Sequence, residues 1–443
     1  MRNYLGPILT AAVLILGISN AEAIPAFAAQ TGMPCNTCHV GGFGPQLTVF
    51  GRQFKMEGYT MRGGTEFTAP ISAMAIASYL HTSADQPSAP APHYAVNDNA
   101  ALDQVSLFVA GRISDNFGGF SQWTYDGAGR AFAWDNLDLR AVEHETFAGS
   151  DVLLGLSLNN SPGVQDSWNT LAAWGYPYTS SGLAPAPAAG TLMDGALAQS
   201  VLGVSAYAYW NSSIYSEVGL YWTPSHGFLR AVGVDPSQAG TVEGVAPYFR
   251  VAYQKDYGDQ NFELGGFALF ANLHPGGDTT VASTDGYTDL GLDASYQFTA
   301  DPVNIYTINA RYTHESQNLV ASTLLGGAAS PHNHLDDFRV DASYYWQNMI
   351  GGSVGAFDTF GAVDSLLYGN NRTLRGDSSG FVLQADYTPF GGEGAPLGGR
   401  FNMRIGAQYF IYTRFDGASS NYDGTGRNAS DNNAIRLFTW LAL

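Results

Sequence analysis

Cys35 and Cys38 are the only cysteines in the chain, and they open the run Cys35-Asn36-Thr37-Cys38-His39. Two thiols held one short turn apart can each add to one vinyl group of a porphyrin. The adjoining imidazole is then left under the iron, so the spacing is the attachment signature of c-type haem. Two other chemistries use a close cysteine pair. A redox dithiol wants a βαβ surround, which is missing here. Zinc wants four ligands, and no second cysteine pair supplies the other two. The motif therefore predicts one covalent haem c, attached through Cys35 and Cys38, with His39 as proximal iron ligand.

The far face of the iron has several candidates. Met33, Met56 and Met61 are close in sequence, and a Met sulfur raises the potential of a His-ligated haem relative to a second His. Met33 stands only two residues before Cys35, too near to reach the far face easily. Met61 is the expected distal ligand, with His81 or an open position as alternatives. Between them, Phe43 to Tyr59 reads as a turn and then a short helix, with Pro45 at a first helical position and Gly58 at the end. Leu47, Phe50 and Phe54 recur at helical spacing and would cover the haem. From Ile24 to Ala69 the segment is near the size at which a core cannot stand unaided, so it should lean on haem and on the long C-terminal region of the chain.

Upstream, Arg2, an apolar run from Pro7 to Ile18 and Ala21-Glu22-Ala23 form a secretory signal peptide, expected to be cleaved after Ala23. The run is shorter than the ~20 residues a membrane-spanning helix needs. Gly (53), Tyr (25) and Phe (25) are abundant and charged residues are only 13%. No later stretch is apolar for long enough to span as a helix, which leaves a secreted β protein or a membrane barrel. The net charge of −19 argues against nucleic acid and suits cations or basic proteins. A disulfide-stapled fold is excluded, because there is no second cysteine pair.

From residue 70 to 443 one pattern recurs: about ten residues alternating apolar and polar, then a turn. Phe338, Val340, Ala342, Tyr344 and Trp346 alternate with Arg339, Asp341, Ser343, Tyr345 and Gln347, and 286–297 and 399–414 do the same. A period of two means strands with one greasy and one wet face. Sixteen are expected, at roughly 71–81, 101–113, 118–126, 132–142, 151–159, 199–210, 214–222, 244–254, 260–272, 286–297, 303–315, 334–347, 350–362, 379–389, 399–414 and 432–443. Tight connections alternate with long ones rich in Gly, Ser, Pro and Asp, the layout of an outer-membrane barrel. The fold class expected is all-β, a transmembrane antiparallel β-barrel with a small α-helical haem segment (24–69) as its plug. Tyr209, Trp210, Tyr221, Trp222, Tyr344, Trp346 and Trp440 would form the interfacial girdles.

The N-terminal residues also resemble a known family, the fused monohaem cytochrome–porins, whose best-known members are outer-membrane iron oxidases. The resemblance rests on Phe27-Ala28-Ala29-Gln30-Thr31-Gly32-Met33, the Cys35 to His39 motif, Phe50-Gly51-Arg52, Phe54-Lys55 and Gly58-Tyr59-Thr60-Met61. It covers about forty residues closely and the barrel only in layout. It implies a haem domain in or under the barrel that takes electrons from extracellular Fe(II) and passes them to periplasmic cytochromes. Over Val40 to Leu47 the chain departs from the bulkier, His-containing stretch of the iron oxidases, so the donor stays open.

The function expected is one-electron transfer across the outer membrane. A diffusion porin with a structural or gating haem segment is one alternative, and a haem enzyme with a vacant iron position is another. If iron is the donor, Asp278, Asp285, Asp364, Asp416, Asp423 and Asp431 would gather the cation, with His332 and His334 as a surface metal pair.

Overall fold

In the computed structural model the described residues are 25–64, 68–236, 240–301, 303–392 and 401–443. The expected leader, residues 1–23, lies outside them. No described helix is long and apolar enough to cross a membrane.

Among the described residues, sixteen strands of nine to seventeen residues form one antiparallel sheet, with a two-residue strand at Thr241–Val242. The sheet closes on itself. Strand Ile71–Thr82 pairs with Asn99–Arg112 on one side and with Ala434–Ala442, the last strand, on the other. Every expected strand is present with its ends shifted by a few residues.

The alternation runs the opposite way from a soluble protein. On strand Asp285–Asp301, Leu290 and Leu292 are 49% and 61% exposed, while Asp289 and Asp293 are buried. Leu107, Val109, Val251, Leu264, Leu383 and Leu437 are likewise exposed, and Arg140, Arg250, Arg404 and Arg436 are buried. A wall that turns its apolar side chains outward and its charges inward is matched to lipid, not water.

At one end of the ring the connections 113–116, 148–149, 211–213, 258–259 and 347–349 are tight. At the other end 83–98, 160–201, 223–245 and 415–433 are long. The alternation has two exceptions: 127–130 is short among the long loops, and 388–401 is long among the turns.

The girdle expectation needs correction. Trp210, Tyr344 and Trp346 face outward, but Tyr209, Tyr221 and Trp440 are buried and Trp222 is half-buried. Neighbouring residues of a strand point to opposite faces, so Tyr209 and Trp210 cannot share one. The loop acids have backbone partners of their own. Asp278, Asp423 and Asp431 accept backbone N–H bonds from Thr280, Thr425 and Asn428. Asp285 accepts from Ser322 and Asp416 from Ala188. These carboxylates fold the loops. His332 and His334 are exposed on either side of buried Asn333, and the described residues hold no group of three or more His, Cys, Asp or Glu that would bind a metal.

Two stretches occupy the ring. Residues 25–64 sit toward the tight-turn end and touch inward-facing side chains around the circumference. Arg52 donates to Asn261 and Ser295, Gln46 to Ser343, Tyr59 to Asp138, and Tyr207 to the Met56 carbonyl. The long connection 160–201 folds inward from the opposite end, burying Val164, Trp168, Leu171, Leu183, Leu192 and Leu197. It is pinned by the fully buried Arg250, which bridges Asp166 (3.2 Å), Asp293 (2.7 Å) and Glu263 (3.5 Å).

Candidate functional site

Three short helices carry the N-terminal segment: α1 (Pro25–Thr31), α2 (Cys35–Cys38) and α3 (Val49–Met56). The motif itself is α2, a single turn in which the His39 N–H donates to the Cys35 carbonyl at 3.0 Å. The chain then doubles back, so that His39 bridges Leu47 and the Val40 N–H donates to Gln46. Gly41, Gly42 and Gly44 take φ of +74°, +88° and +104° in this reversal, a region open to glycine. The helix therefore begins later than Pro45. Thr48 is its N-cap, accepting from the Gly51 N–H at 3.1 Å and donating to the Thr37 carbonyl at 2.6 Å. That one hydroxyl stitches α3 onto the motif.

Arg404, from strand Asn402–Arg414, holds the reversal from the wall. Its Nη2 donates to the carbonyls of Gly41 (2.8 Å) and Phe43 (2.7 Å), and the guanidinium stacks on the Phe43 ring at 5.0 Å. Trp440 packs edge-on to Phe43 at 4.9 Å.

Cys35, Cys38 and His39 line one cavity of about 380 Å³ inside the ring. Leu47 and Phe54 of the segment line it as expected, together with Phe108 and Phe120 of the wall and Trp174 and Tyr178 of the inward loop. Aromatic contacts run along its side. Phe27 stacks on Tyr59 at 5.2 Å, Tyr59 meets Phe120 edge-on at 5.9 Å, and Phe120 reaches Trp174 at 6.2 Å.

Neither cysteine is disulfide-bonded. Burial pushes the Cys35 thiol up to about 11, and burial together with Cys35 pushes Cys38 up to about 12. Both are therefore neutral near pH 7, unlike the low-pKa thiolates of a redox dithiol. Burial, partly offset by the Gly44 backbone, pushes His39 down to about 4, leaving a neutral imidazole. Its Nδ1 is buried without a hydrogen-bond partner. Two neutral thiols and an incompletely bonded imidazole facing one largely apolar cavity fit a covalently tethered macrocycle with an axial histidine.

The other sulfur candidates are scattered. Met61 is not among the residues lining the cavity; it packs beside Phe54 and Tyr59, and its carbonyl accepts from Gln30. Met56 is buried against Val142, Leu153 and Tyr207, and Phe50 also stands off the cavity. His81 is exposed and bonded to Asp98 at 2.7 Å. Met33 and Met74 do line the cavity, and Met74 accepts the Trp440 Nε1–H at 3.3 Å.

Sequence reasoning passed over Met74, Trp174 and Lys55. Lys55 Nζ donates to the Val164 carbonyl and to Asn169 Oδ1, both at 2.8 Å, and lies 5.1 Å from the Trp174 ring centre. A signal was present for the loop, because a stretch carrying Trp168, Leu171, Leu183 and Leu192 is too apolar to lie in water.

A closed antiparallel barrel whose interior is occupied by residues 25–64 and 160–201, with a cavity between them, is the class that fold and site define. No protein-family model matches the chain, and no curated protein matches it. Among solved structures it is similar to the outer membrane channel DcaP of Acinetobacter baumannii, with a TM-score of 0.47 and 11% identity over 84% of this chain and 96% of that one. It is similar to an anion-selective porin from Comamonas acidovorans, with a TM-score of 0.45 and 12% identity over 84% and 99%. It is also similar to a loop-deletion mutant of OmpT, an outer membrane protein of Vibrio cholerae, at 0.45 and 10% over 84% and 98%.

Proposed function

We propose that this protein is an outer-membrane, barrel-housed c-type cytochrome that transfers single electrons between the cell exterior and a periplasmic electron-carrier cytochrome. The observation that carries the reading is that Cys35, Cys38 and His39 line a single cavity inside a lipid-matched ring. In this reading Cys35 and Cys38 hold the porphyrin, His39 binds its iron, and residues 25–64 are the plug. A haem bound there supplies reversible one-electron chemistry at its iron. The residues of the chain do the rest. Arg404 and Thr48 fix the motif, the aromatic lining keeps water out, and the inward loop covers the site from the long-loop side.

Short turns face the periplasm in barrels of this kind. Because the segment lies at that end, the reading puts its partner in the periplasm. Extracellular Fe(II) is the donor implied by the N-terminal resemblance. The test is reconstitution in proteoliposomes with Fe(II) supplied outside and the haem absorbance followed, repeated with Cys38→Ala. Iron-dependent reduction in the wild type alone supports the reading. Covalent haem without reduction removes the iron oxidase and keeps the cytochrome. Absence of covalent haem ends both.

A second reading, a diffusion porin, is favoured by a further cavity of about 250 Å³ lined by Asp194, Asn309, Arg311, Arg339 and Asp341. Charged groups of both signs facing a wet space are what an ion path requires. Conductance across planar bilayers tests it, since a plugged ring should carry little current.

A further inference from the structure

Lys55 is the one lysine or arginine among the described residues lining the cavity of Cys35, Cys38 and His39. Its side chain is almost completely buried, and a buried ammonium is costly unless an anion answers it. Its contacts are all neutral: the Val164 carbonyl, the Asn169 amide oxygen and the Trp174 face. Asp138, Asp166 and Glu217 act on it from farther away, and the Arg140 guanidinium opposes them. An ammonium has three N–H donors, and two are engaged. Asp135, the lining carboxylate, is already bonded to Thr124, Gln122 and Gln199.

We infer that Lys55 is the counter-cation for a propionate carboxylate of the haem held by Cys35, Cys38 and His39. The inference rests on the haem reading above and goes beyond it by assigning the anion-binding residue of the cavity. The occupant would arrive as the missing charge partner, and the two loop contacts would aim the ammonium at it. Lys55 thereby joins three things in one side chain: the plug, the inward loop and the cofactor.

The test is the midpoint potential of the full-length protein in detergent, compared for wild type, Lys55→Met, Lys55→Arg and Asn169→Ala. Removing a cation beside a propionate leaves its negative charge unanswered and favours the oxidised iron. Lys55→Met should therefore lower the potential, and Lys55→Arg should stay near wild type. Asn169→Ala, which deletes one of the contacts that aim the ammonium and keeps the charge, should lower the potential by less than Lys55→Met. If Lys55→Met does not assemble, resonance Raman of Lys55→Arg replaces it, and the propionate bending band should move from its wild-type position. An unchanged potential in Lys55→Met, or an unmoved band in Lys55→Arg, overturns the assignment while covalent haem is retained. A wild type without covalent haem overturns the cytochrome reading itself, which the denatured absorbance spectrum shows independently.

Discussion

Gly51 and Cys38 meet with no room for a side chain between them: a β-carbon on Gly51 would overlap the Cys38 carbonyl oxygen. The first turn of α3 is thus laid directly on the thiol motif, and the Thr48 hydroxyl fixes it there. Gly51→Ala must push α3 away, at a cost of about 1 to 3 kcal/mol for overpacking. On the haem reading proposed above, the expected result is a folded barrel with severalfold less covalent haem, read as the ratio of haem to protein absorbance after denaturation.

The outward face makes a second prediction. Leu292 is 61% exposed near the middle of its strand. In a soluble protein, arginine there would be nearly neutral. In a lipid-facing wall Leu292→Arg should cost ~2 to 4 kcal/mol, measured by urea titration of folding into vesicles. A change under ~0.5 kcal/mol, the range of an ordinary surface site, would show that this face does not meet lipid.

Asp166 ties the inward loop to Arg250 on the wall. Removing one partner of a buried ion pair costs ~3 to 5 kcal/mol, because the other charge is left unanswered. Asp293 and Glu263 still face Arg250, so Asp166→Ala should fall at the low end of that range. Single-channel recording should show raised and noisier current as residues 160–201 leave the interior.

Asp364 carries a pH prediction. Burial alone would raise its pKa, but the backbone N–H groups of Leu367, Ala329, Leu366 and Ser330 outweigh that and hold the carboxyl well below the usual range. A depressed folded pKa adds stability above the unfolded value of 3.8, and that stability is lost as pH falls below it. Hydrogen-exchange protection at Ala329, Ser330 and Leu367, taken relative to the intrinsic rate at each pH, should hold at pH 5 to 7 and fall below about pH 4. Asp364→Asn should lower that protection across pH 5 to 7, by the ~1 to 3 kcal/mol of an imperfectly satisfied buried group.

The strands were legible because lipid on one side and a wet interior on the other impose a strict period of two. Leu290 and Leu292 against Asp289 and Asp293 display it without any partner in view. The same rule, applied residue by residue, would have turned Tyr209 and Tyr221 inward. The run from Cys35 to His39 could be singled out because its residues are contiguous, and they fold as one local turn. Its surroundings could not be: Arg404 reaches Gly41 and Phe43 from the far end of the chain, and Lys55 reaches Val164 and Asn169 across the ring. Such pairs are set by ring closure and leave no periodic trace.

Strand Ile71–Thr82 comes directly after the N-terminal segment, and the strand it zips onto, Ala434–Ala442, is the last of the sheet. A hoop joined there stays open until strand Ala434–Ala442 has been delivered to it. Residues 25–64 are then less a stopper inserted into a finished pipe than cargo around which the pipe is rolled. On the haem reading proposed above, a group tethered to Cys35 and Cys38 would be loaded before the seam shuts, with attachment and membrane assembly as consecutive steps of one maturation.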